Sequence, residues 1–342
     1  MNLPLRMPFA PMEAKIAGVI PTGPEWEYEP KWDGFRCLAF RSGKEVELQS
    51  KAGETLTRYF PEIQTTLLQA AASKFVLDGE LIVVEHGHLS FDDLLRRIHP
   101  AASRVRMLSE THPAQFVVFD LLVDEHGHSL ISKPLDERRA LLEHFYENYL
   151  SSSDSVLLSR RTRLPRVAER WMKMTRGQLD GVVAKRIDQP YLSGERAMIK
   201  VKTIRSADCV VGGFRYGSKK KEVGSLLLGL YEGGLLHHVG FTSSMPSASR
   251  PELTRKLENL IEAPGFTGRA PGGPSRWSTG RSAEWQPLKP ELVVEVEYDH
   301  FTGVRFRHGT KFLRWRPDKA PRQCLMKQVG FESKVRPAQL TD

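Results

Sequence analysis

The chain has 342 residues, and its 50 Lys and Arg exceed its 41 Asp and Glu to give a formal net charge of +9. This length predicts two domains. The positive charge favours an anionic partner such as nucleic acid over a membrane, because no apolar stretch is long enough to span a bilayer. The three cysteines are too few for a disulfide framework and lack the spacing of zinc ligands. With no secretory apolar region near the start, the cytoplasm is the expected compartment.

Strands and helices alternate along the first 200 residues or so. Residues 28–51 predict a β-hairpin with its turn at Ser42-Gly43, and Lys31 is expected on the first strand of that hairpin. Ser90 predicts the N-terminal cap of a helix over residues 90–98, because an acid follows it three residues later. Further strands are predicted at residues 75–84, 116–122, 179–186 and 198–202, and further helices at 134–149 and 166–178.

From residue 207 onward the pattern is mainly that of strands, with one helix predicted at residues 249–261. Gly, Pro, Ser and Thr crowd residues 265–281, which predicts a long loop. The last strands are predicted at residues 292–298 and 304–308. This strand count fits a small Greek-key barrel of the OB type. We therefore expect one domain at residues 1–203 and an OB-fold domain at residues 204–342.

One short segment places a lysine between carboxylates. Residues 29–36 read Glu-Pro-Lys-Trp-Asp-Gly-Phe-Arg, so Lys31 lies two residues from both Glu29 and Asp33, and Arg36 follows. Side chains of an extended segment alternate between faces, so Lys31 and Asp33 are expected on one face. Gly34 would let a ligand approach the main chain closely. This arrangement suits a lysine that bonds covalently to its substrate after its amine loses a proton.

Two further lysines and two acids can supply the charges that such chemistry needs. Lys200 and Lys202 occupy alternate positions of a predicted strand, where they can favour the neutral amine of Lys31 and neutralise phosphate oxygens. A divalent ion such as Mg²⁺ or Mn²⁺ prefers oxygen ligands and can offset the charge of a triphosphate. Glu80 and Asp180 are the acids best placed to bind that ion.

These segments resemble, in the same order, the motifs of ATP-dependent DNA ligases, and the layout is closest to the minimal bacterial ligase C and the ligase part of bacterial ligase D. Lys-x-Asp-Gly-x-Arg resembles the nucleotidyl-transfer motif, whose lysine carries a nucleotide through a phosphoamide bond. Residues 78–81, 179–186, 198–202 and 316–319 resemble later motifs. The chain departs from the family at Asp180, where the usual acid is Glu, and at Lys51, where the usual residue is Arg.

The resemblance implies an α+β fold: a nucleotidyltransferase (adenylation) domain with antiparallel sheets and flanking helices, followed by the OB-fold β-barrel. It implies sealing of nicks in duplex DNA, in DNA repair, through lysine-AMP, DNA-adenylate and phosphodiester formation. The implied catalytic residues are Lys31, Asp33, Arg36, Lys200 and Lys202. The implied ATP-binding residues are Glu29, Lys31, Arg36, Lys51, Glu80, Phe119, Lys200, Lys202, Arg316, Asp318 and Lys319, with Phe119 against the adenine ring and the last three near the leaving pyrophosphate.

DNA contacts are expected mainly with phosphates, because an enzyme that seals nicks should not select a sequence. The candidates are Lys51, a basic loop with Lys219 and Lys220, and Arg305 and Arg307 on one strand face. The second domain is expected to rotate about a hinge near residues 203–206, because residues 316–319 must reach ATP before the nick occupies the same opening. By resemblance we expect a monomer near the nucleoid, with a Ku-like protein or a polymerase as a repair partner.

Two alternatives stay open on the sequence alone. An mRNA-capping guanylyltransferase uses the same lysine chemistry with GTP, and the sequence does not show which base is bound. The other alternative is a non-catalytic nucleic-acid-binding protein, against which the intact Lys31, Lys200 and Lys202 weigh, because binding alone needs no neutral lysine. The chain has no P-loop motif, so side chains must contact the phosphates.

Overall fold

The computed structural model describes residues 1–174, 179–217, 221–272, 284–330 and 340. The chain divides into two compact units, of which the first contains Met1–Thr203 and the second is Ile204–Glu332. Leu340, which the sequence predicts in the second domain, packs in the same apolar cluster as Trp32 of the first unit. No helix in the described ranges is long and apolar enough to cross a bilayer.

The first unit consists of two β-sheets with flanking helices, as predicted. Its strands are β1 (Ala14–Ala17), β2 (Trp26–Lys31), β3 (Phe35–Ser42), β4 (Glu45–Ser50), β5 (Lys74–Glu85), β6 (His88–Leu89), β7 (Ala114–Val123), β8 (Val156–Leu158), β9 (Gly181–Arg186) and β10 (Met198–Lys202). Its helices are α1 (Pro61–Gln69), α2 (Phe91–Arg96), α3 (Ala102–Thr111), α4 (Leu135–Tyr149) and α5 (Pro165–Met174), with a short 3-10 turn at Thr57–Tyr59.

The smaller sheet has the order β1-β10-β9-β2, and the larger has the order β4-β3-β5-β7-β8 with β6 added to β5. Most neighbours are antiparallel, but β1 runs parallel to β10 and β8 runs parallel to β7. Strand β9 therefore lies between β2 and β10, which brings together segments that are far apart in sequence.

The core of the first unit packs the larger sheet against α1 and α4. Phe75 on β5, Phe116 on β7 and Phe145 on α4 are fully buried. The rings of Phe75 and Phe145 meet edge to face with their centres 5.3 Å apart. Burial of one such side chain stabilises the fold by about 1.5–3 kcal/mol. This core holds β5 and β7, the strands that carry Glu80 and Phe119, in fixed positions.

The prediction that Lys31 lies on the first strand of the hairpin is wrong. The hairpin consists of β3 and β4, and its turn contains Gly43 at φ +63°, where a left-handed backbone favours glycine. Lys31 instead ends β2 in the smaller sheet, and the next residues connect the two sheets. A Cβ at Gly34 would lie 2.1 Å from the main-chain oxygen of Leu81, so glycine is required where this connection passes β5. Lys31 therefore lies at the junction of the two sheets.

The second unit is mainly one sheet with one helix. Its strands are β11 (Arg205–Tyr216), β12 (Val223–Glu232), β13 (Leu235–Thr242), β14 (Gln286–Pro287), β15 (Val293–Tyr298), β16 (Phe301–Thr302), β17 (Arg305–Phe306) and β18 (Lys311–Trp315). The helix is α6 (Arg250–Glu258), and short 3-10 turns lie at Ser247–Ser249, Pro321–Gln323 and Met326–Gln328.

The main sheet of the second unit has the order β13-β12-β11-β15-β18, with β14 added to β11. Among the described residues no strand pairing closes this sheet into the expected barrel. An isolated bridge between Thr242 and Thr310 joins the end of β13 to the residue before β18. The apolar core of the second unit includes Phe214, Leu228 and Val294.

Several predicted elements are confirmed and others need correction. Helix α2 begins after Ser90, whose Oγ accepts a hydrogen bond from the main-chain N–H of Asp93 at 3.3 Å. The final strand is β18, whereas residues 304–308 contain only the two-residue β17. The structure also contains helices α1 and α3, which the sequence does not predict. Residues 175–178 of the predicted fifth helix and 273–281 of the predicted loop lie outside the described residues.

Candidate active site

One pocket in the first unit collects most of the predicted ATP-binding residues. It opens between the N-terminal segment and the two sheets. Glu29, Lys31, Arg36, Lys51, Glu80, Phe119 and Lys200 all line it, as the sequence predicts for a common site. The other lining residues are Pro11, Met12, Glu13, Ala14, Pro30, Trp32, Val183, Lys185 and Met198.

Asp180 connects two of the predicted lysines. Its Oδ2 lies 2.5 Å from Nζ of Lys31 and 3.5 Å from Nζ of Lys202. Strand register explains this, because Gly181 pairs with Lys31 on one side and with Lys202 on the other. Gly181 has φ +139°, and a Cβ there would lie 2.0 Å from the main-chain oxygen of Val201, so glycine permits this close approach of three strands.

Lys200, two residues before Lys202 on β10, adds a further positive charge. Burial lowers the pKa of the Lys200 amine, and the charges of Lys31, Lys202 and Lys51 lower it further. Lys51 is exposed and donates a hydrogen bond from Nζ to Oε2 of Glu13 at 2.9 Å. The site therefore holds a cluster of cations, as expected for a pocket that receives phosphates.

Glu80 is one of two pocket acids, with Glu29, in which burial outweighs the nearby cations and disfavours the ionised carboxylate. Burial raises the pKa of its carboxyl to about 7, against the charges of Lys31 and Arg36, which lower it. Its Oε1 accepts a hydrogen bond from the main-chain N–H of Gly34 at 3.2 Å. A divalent cation would favour the ionised carboxylate, so the residue fits the predicted metal site.

Arg36 is held by residues that the sequence prediction does not include. Its Nε and Nη2 donate to the two carboxylate oxygens of Asp78, each at 2.5 Å. Tyr191 donates from its hydroxyl to Asp78 Oδ2 at 2.6 Å and accepts from the main-chain N–H of Met12 at 3.0 Å. Burial and then the charge of Asp78 raise the pKa of the Tyr191 hydroxyl. Burial lowers the pKa of the Arg36 guanidinium, but Asp78 and the other nearby acidic groups raise it by more. This network ties the N-terminal segment to the pocket.

Glu29 is buried and bound by Lys185, a second group absent from the prediction. Nζ of Lys185 donates to Glu29 Oε1 at 2.8 Å, and Nη1 of Arg139 lies 3.9 Å from the same oxygen. Burial raises the pKa of the Glu29 carboxyl although both cations lower it. Nζ of Lys185 and Cζ of Arg36 each lie 4.6 Å from the centre of the Phe119 ring, within cation–π range.

The residues predicted to contact the leaving pyrophosphate lie in the second unit, where ion pairs and hydrogen bonds connect them. Nε and Nη2 of Arg316 donate to Asp318, and Nη1 donates to Asp208 Oδ1 at 2.8 Å. Nζ of Lys319 lies 3.3 Å from Asp208 Oδ2. The hydrogen bond from Arg316 lowers the pKa of the Asp318 carboxyl to about 2. Asp208 is a further residue that the sequence prediction does not include.

The remaining predicted residues are Asp33 and four candidate DNA contacts, and the charge of Asp33 raises the pKa of the nearby Glu80 carboxyl. Asp33 lies in the connection between β2 and β3, so the expectation that it shares a strand face with Lys31 is wrong. Arg305 is exposed on β17, but that strand ends at Phe306, so Arg307 is not on the same strand as predicted. Lys219 and Lys220 lie outside the described residues.

Comparisons with known proteins match both parts of the chain to one family. The ATP-dependent DNA ligase domain matches residues 11–202, and the ATP-dependent DNA ligase C-terminal region matches residues 219–319. DNA ligase C1 of Mycolicibacterium smegmatis is 43% identical over 341 residues, covering 96% of each chain. The multifunctional non-homologous end joining DNA repair protein LigD of Mycobacterium tuberculosis is 29% identical over 311 residues, which are 88% of this chain and 37% of that protein.

A solved structure of a Lig E DNA ligase supports the fold alone. It has a TM-score of 0.54 at 17% identity and covers 89% of this chain and 99% of that chain.

The chain belongs to the family of ATP-dependent DNA ligases. Within that family it is similar, over nearly its whole length, to a protein named DNA ligase C1, so the predicted likeness to ligase C is confirmed. The predicted enzyme class, a DNA ligase that uses ATP, is also confirmed. Because the matching family consists of ATP-dependent DNA ligases, the alternative of a GTP-dependent capping enzyme is rejected.

Proposed function

We propose that this ligase seals nicks in duplex DNA through AMP carried on Lys31. Nζ of Lys31 bonds to the α-phosphorus of ATP as the bond to pyrophosphate breaks and the amine loses its proton. The 5′-phosphate at the nick takes AMP as the N–P bond breaks, and the 3′-hydroxyl then displaces AMP to form the phosphodiester. The observation that carries this proposal is the position of the Lys31 amine in a cationic pocket, 2.5 Å from a carboxylate oxygen of Asp180.

We assign different roles to the acidic, aromatic and cationic side chains around Lys31. Asp180 orients the amine and can receive its proton, because its oxygen is within hydrogen-bond distance. Phe119 offers the aromatic face for adenine, and Glu29 bounds the same part of the pocket. Phosphate oxygens are assigned to the cations Arg36, Lys51, Lys200 and Lys202, and Asp33 is assigned a supporting catalytic role.

A divalent ion, Mg²⁺ or Mn²⁺, is assigned to Glu80 and Asp180. When bound it supplies charge neutralisation for the triphosphate and the departing pyrophosphate. The raised pKa of Glu80, about 7, supports this assignment, because a cation relieves the cost of ionising a buried carboxyl. Asp180 is already engaged by Lys31 and Lys202, so its contact with the ion is assigned through water.

The second unit is assigned to the leaving group and to DNA. Arg316, Asp318 and Lys319 act on pyrophosphate, and Arg305 and Arg307, with Lys51 of the first unit, contact DNA phosphates. Lys219 and Lys220 are proposed as DNA contacts from their sequence alone. We assign residues 1–203 to the nucleotidyltransferase domain and the chain from residue 204 to an OB-fold domain that ends before Leu340.

We further propose a role in DNA repair, carried out by a monomer in the cytoplasm at the nucleoid. The name of the LigD relative, a non-homologous end joining DNA repair protein, supports this proposal, as does the net charge of +9. A Ku-like protein or a repair polymerase is the partner that such a pathway would supply.

The test is labelling of the protein with nucleotide. Purified protein is incubated with Mg²⁺ and α-labelled ATP or α-labelled GTP, then separated under denaturing conditions. We compare the wild type with Lys31→Ala and with Lys44→Ala, a control lysine in the exposed turn of the β3–β4 hairpin.

Label from ATP that persists in Lys44→Ala and vanishes in Lys31→Ala supports the proposal, as does later transfer of that label to nicked duplex DNA. Label that persists in Lys31→Ala, or that passes to no nicked DNA, would overturn it.

A further inference from the structure

Two acids face each other across neighbouring strands of the second unit. Asp208 on β11 is paired in register with Glu295 on β15. Like charges directly opposite one another destabilise a sheet unless cations lie between or beside them. Arg314 donates to Glu295 Oε2 at 2.7 Å, and Nη1 of Arg316 lies 2.8 Å from Asp208 and 3.8 Å from Glu295. The facing acids therefore form a receptor for the guanidinium of Arg316.

The receptor holds Arg316 without using all of its donors. A guanidinium has five N–H groups. Nε and Nη2 donate to the carboxylate of Asp318, and Nη1 donates to Asp208, so three groups are engaged by described residues. The plane of the guanidinium is fixed from two directions, while two N–H groups remain for oxygen atoms of a phosphate.

Asp208 also binds the second cation of the motif and is itself held in place. Nζ of Lys319 lies 3.3 Å from Asp208 Oδ2. The side-chain amide of Gln328 accepts from the main-chain N–H of Asp208 at 3.0 Å and donates to its main-chain oxygen at 2.9 Å. The side chain of Asp208 is 13% exposed. One acid with a fixed main chain thus sets the separation of Arg316 and Lys319.

We propose that Asp208 is a positioning residue, which fixes Arg316 and Lys319 in the arrangement that receives the leaving pyrophosphate when Lys31 is adenylylated. The inference rests on the role proposed above for Arg316 and Lys319. Both are long side chains that lose much rotamer freedom when they bind. Asp208 restricts that freedom before the substrate arrives, so less is lost during the reaction.

The test compares two half-reactions of the full chain. The first is the rate of Lys31 adenylylation at saturating ATP and Mg²⁺. The second is sealing of nicked DNA that already carries AMP on its 5′-phosphate, a step in which no pyrophosphate leaves. The variants are Asp208→Asn, which keeps the size of the side chain, Arg316→Ala, and the control Glu297→Gln, whose carboxylate pairs with Lys311 on the same sheet.

We expect Asp208→Asn to slow adenylylation about tenfold, because a hydrogen bond to a charged group is lost from the arrangement that lowers the barrier. Sealing of the adenylylated nick should stay within about twofold of wild type. Glu297→Gln should change neither rate.

An adenylylation rate in Asp208→Asn that equals or exceeds the wild-type rate would overturn the inference. An equal loss in both half-reactions would do the same, because it would mark a purely structural role. If Arg316→Ala adenylylates at the wild-type rate, the proposed role of Arg316 fails first, and the inference fails with it.

Discussion

Tyr191→Phe removes a single hydroxyl from the network that holds Arg36. That hydroxyl donates to Asp78 Oδ2 at 2.6 Å and accepts from the main-chain N–H of Met12 at 3.0 Å. A hydrogen bond to a charged group contributes about 1.5–3 kcal/mol, and a buried donor without a partner costs about 1–3 kcal/mol. Because the two effects share one atom and do not add fully, we expect a loss of about 3 kcal/mol in the free energy of unfolding.

The matched control is Tyr28→Phe. Tyr28 is also buried, but its hydroxyl donates to a neutral acceptor, the main-chain oxygen of Pro21, at 2.6 Å. Loss of one such bond costs about 1 kcal/mol. Urea unfolding followed by tryptophan fluorescence gives both values by linear extrapolation. Equal losses for the two variants would refute the reasoning that the charged network around Asp78 makes Tyr191 the more important residue.

Three further predictions concern pH, backbone conformation and DNA. Burial raises the pKa of Glu80 to about 7, above the about 4.3 of an unfolded chain, so without metal the stability should fall as pH rises between these values. Urea unfolding at pH 5 and pH 8 should show that Glu80→Gln makes this slope shallower, while the buried Glu29, whose pKa is also raised, keeps part of it. Gly181→Ala, at φ +139° and with its Cβ 2.0 Å from an oxygen of Val201, should cost about 3 kcal/mol. The control Gly43→Ala, with no atom within 4 Å, should cost only about 1 kcal/mol in the same assay. Arg305→Ala should reduce by about 1 the slope of log affinity against log salt in anisotropy titrations with nicked DNA, and an unchanged slope would exclude a phosphate contact.

The sequence predicts best those features that depend on local order along the chain. Residues 29–36 identify Lys31 and Arg36, and the alternation of Lys200 and Lys202 identifies the paired cations. Ser90 predicts the start of α2 because its cap acts within three residues. Such signals need no knowledge of which strands are neighbours.

Features that depend on strand order are the ones that the sequence could not predict. Tyr191 lies in an irregular segment between β9 and β10, and its contact with Asp78 joins residues 113 positions apart. Asp208 acquires Arg316 and Lys319 as partners because β15 lies between β11 and β18, the strand that these two residues follow. The position of Lys185 could have been predicted from the sequence. It lies two residues after Val183 on β9, so the two side chains share one face of the strand, and both line the pocket. A charged residue on the inward face of an apolar strand indicates a buried partner, here Glu29.

The departure at Asp180 has a physical explanation in the same strand order. The main-chain N–H of Asp180 donates to the oxygen of Lys31 at 3.1 Å, and the N–H of Thr203 donates to the oxygen of Asp180 at 3.2 Å. These bonds hold the Asp180 main chain beside the ends of β2 and β10, so a short side chain already reaches the amine of Lys31. Glutamate, one methylene longer, would carry its carboxylate past that amine. The shorter acid therefore favours contact with the lysine, which is consistent with the assignment proposed above of Glu80 to the metal ion and of Asp180 to a contact through water.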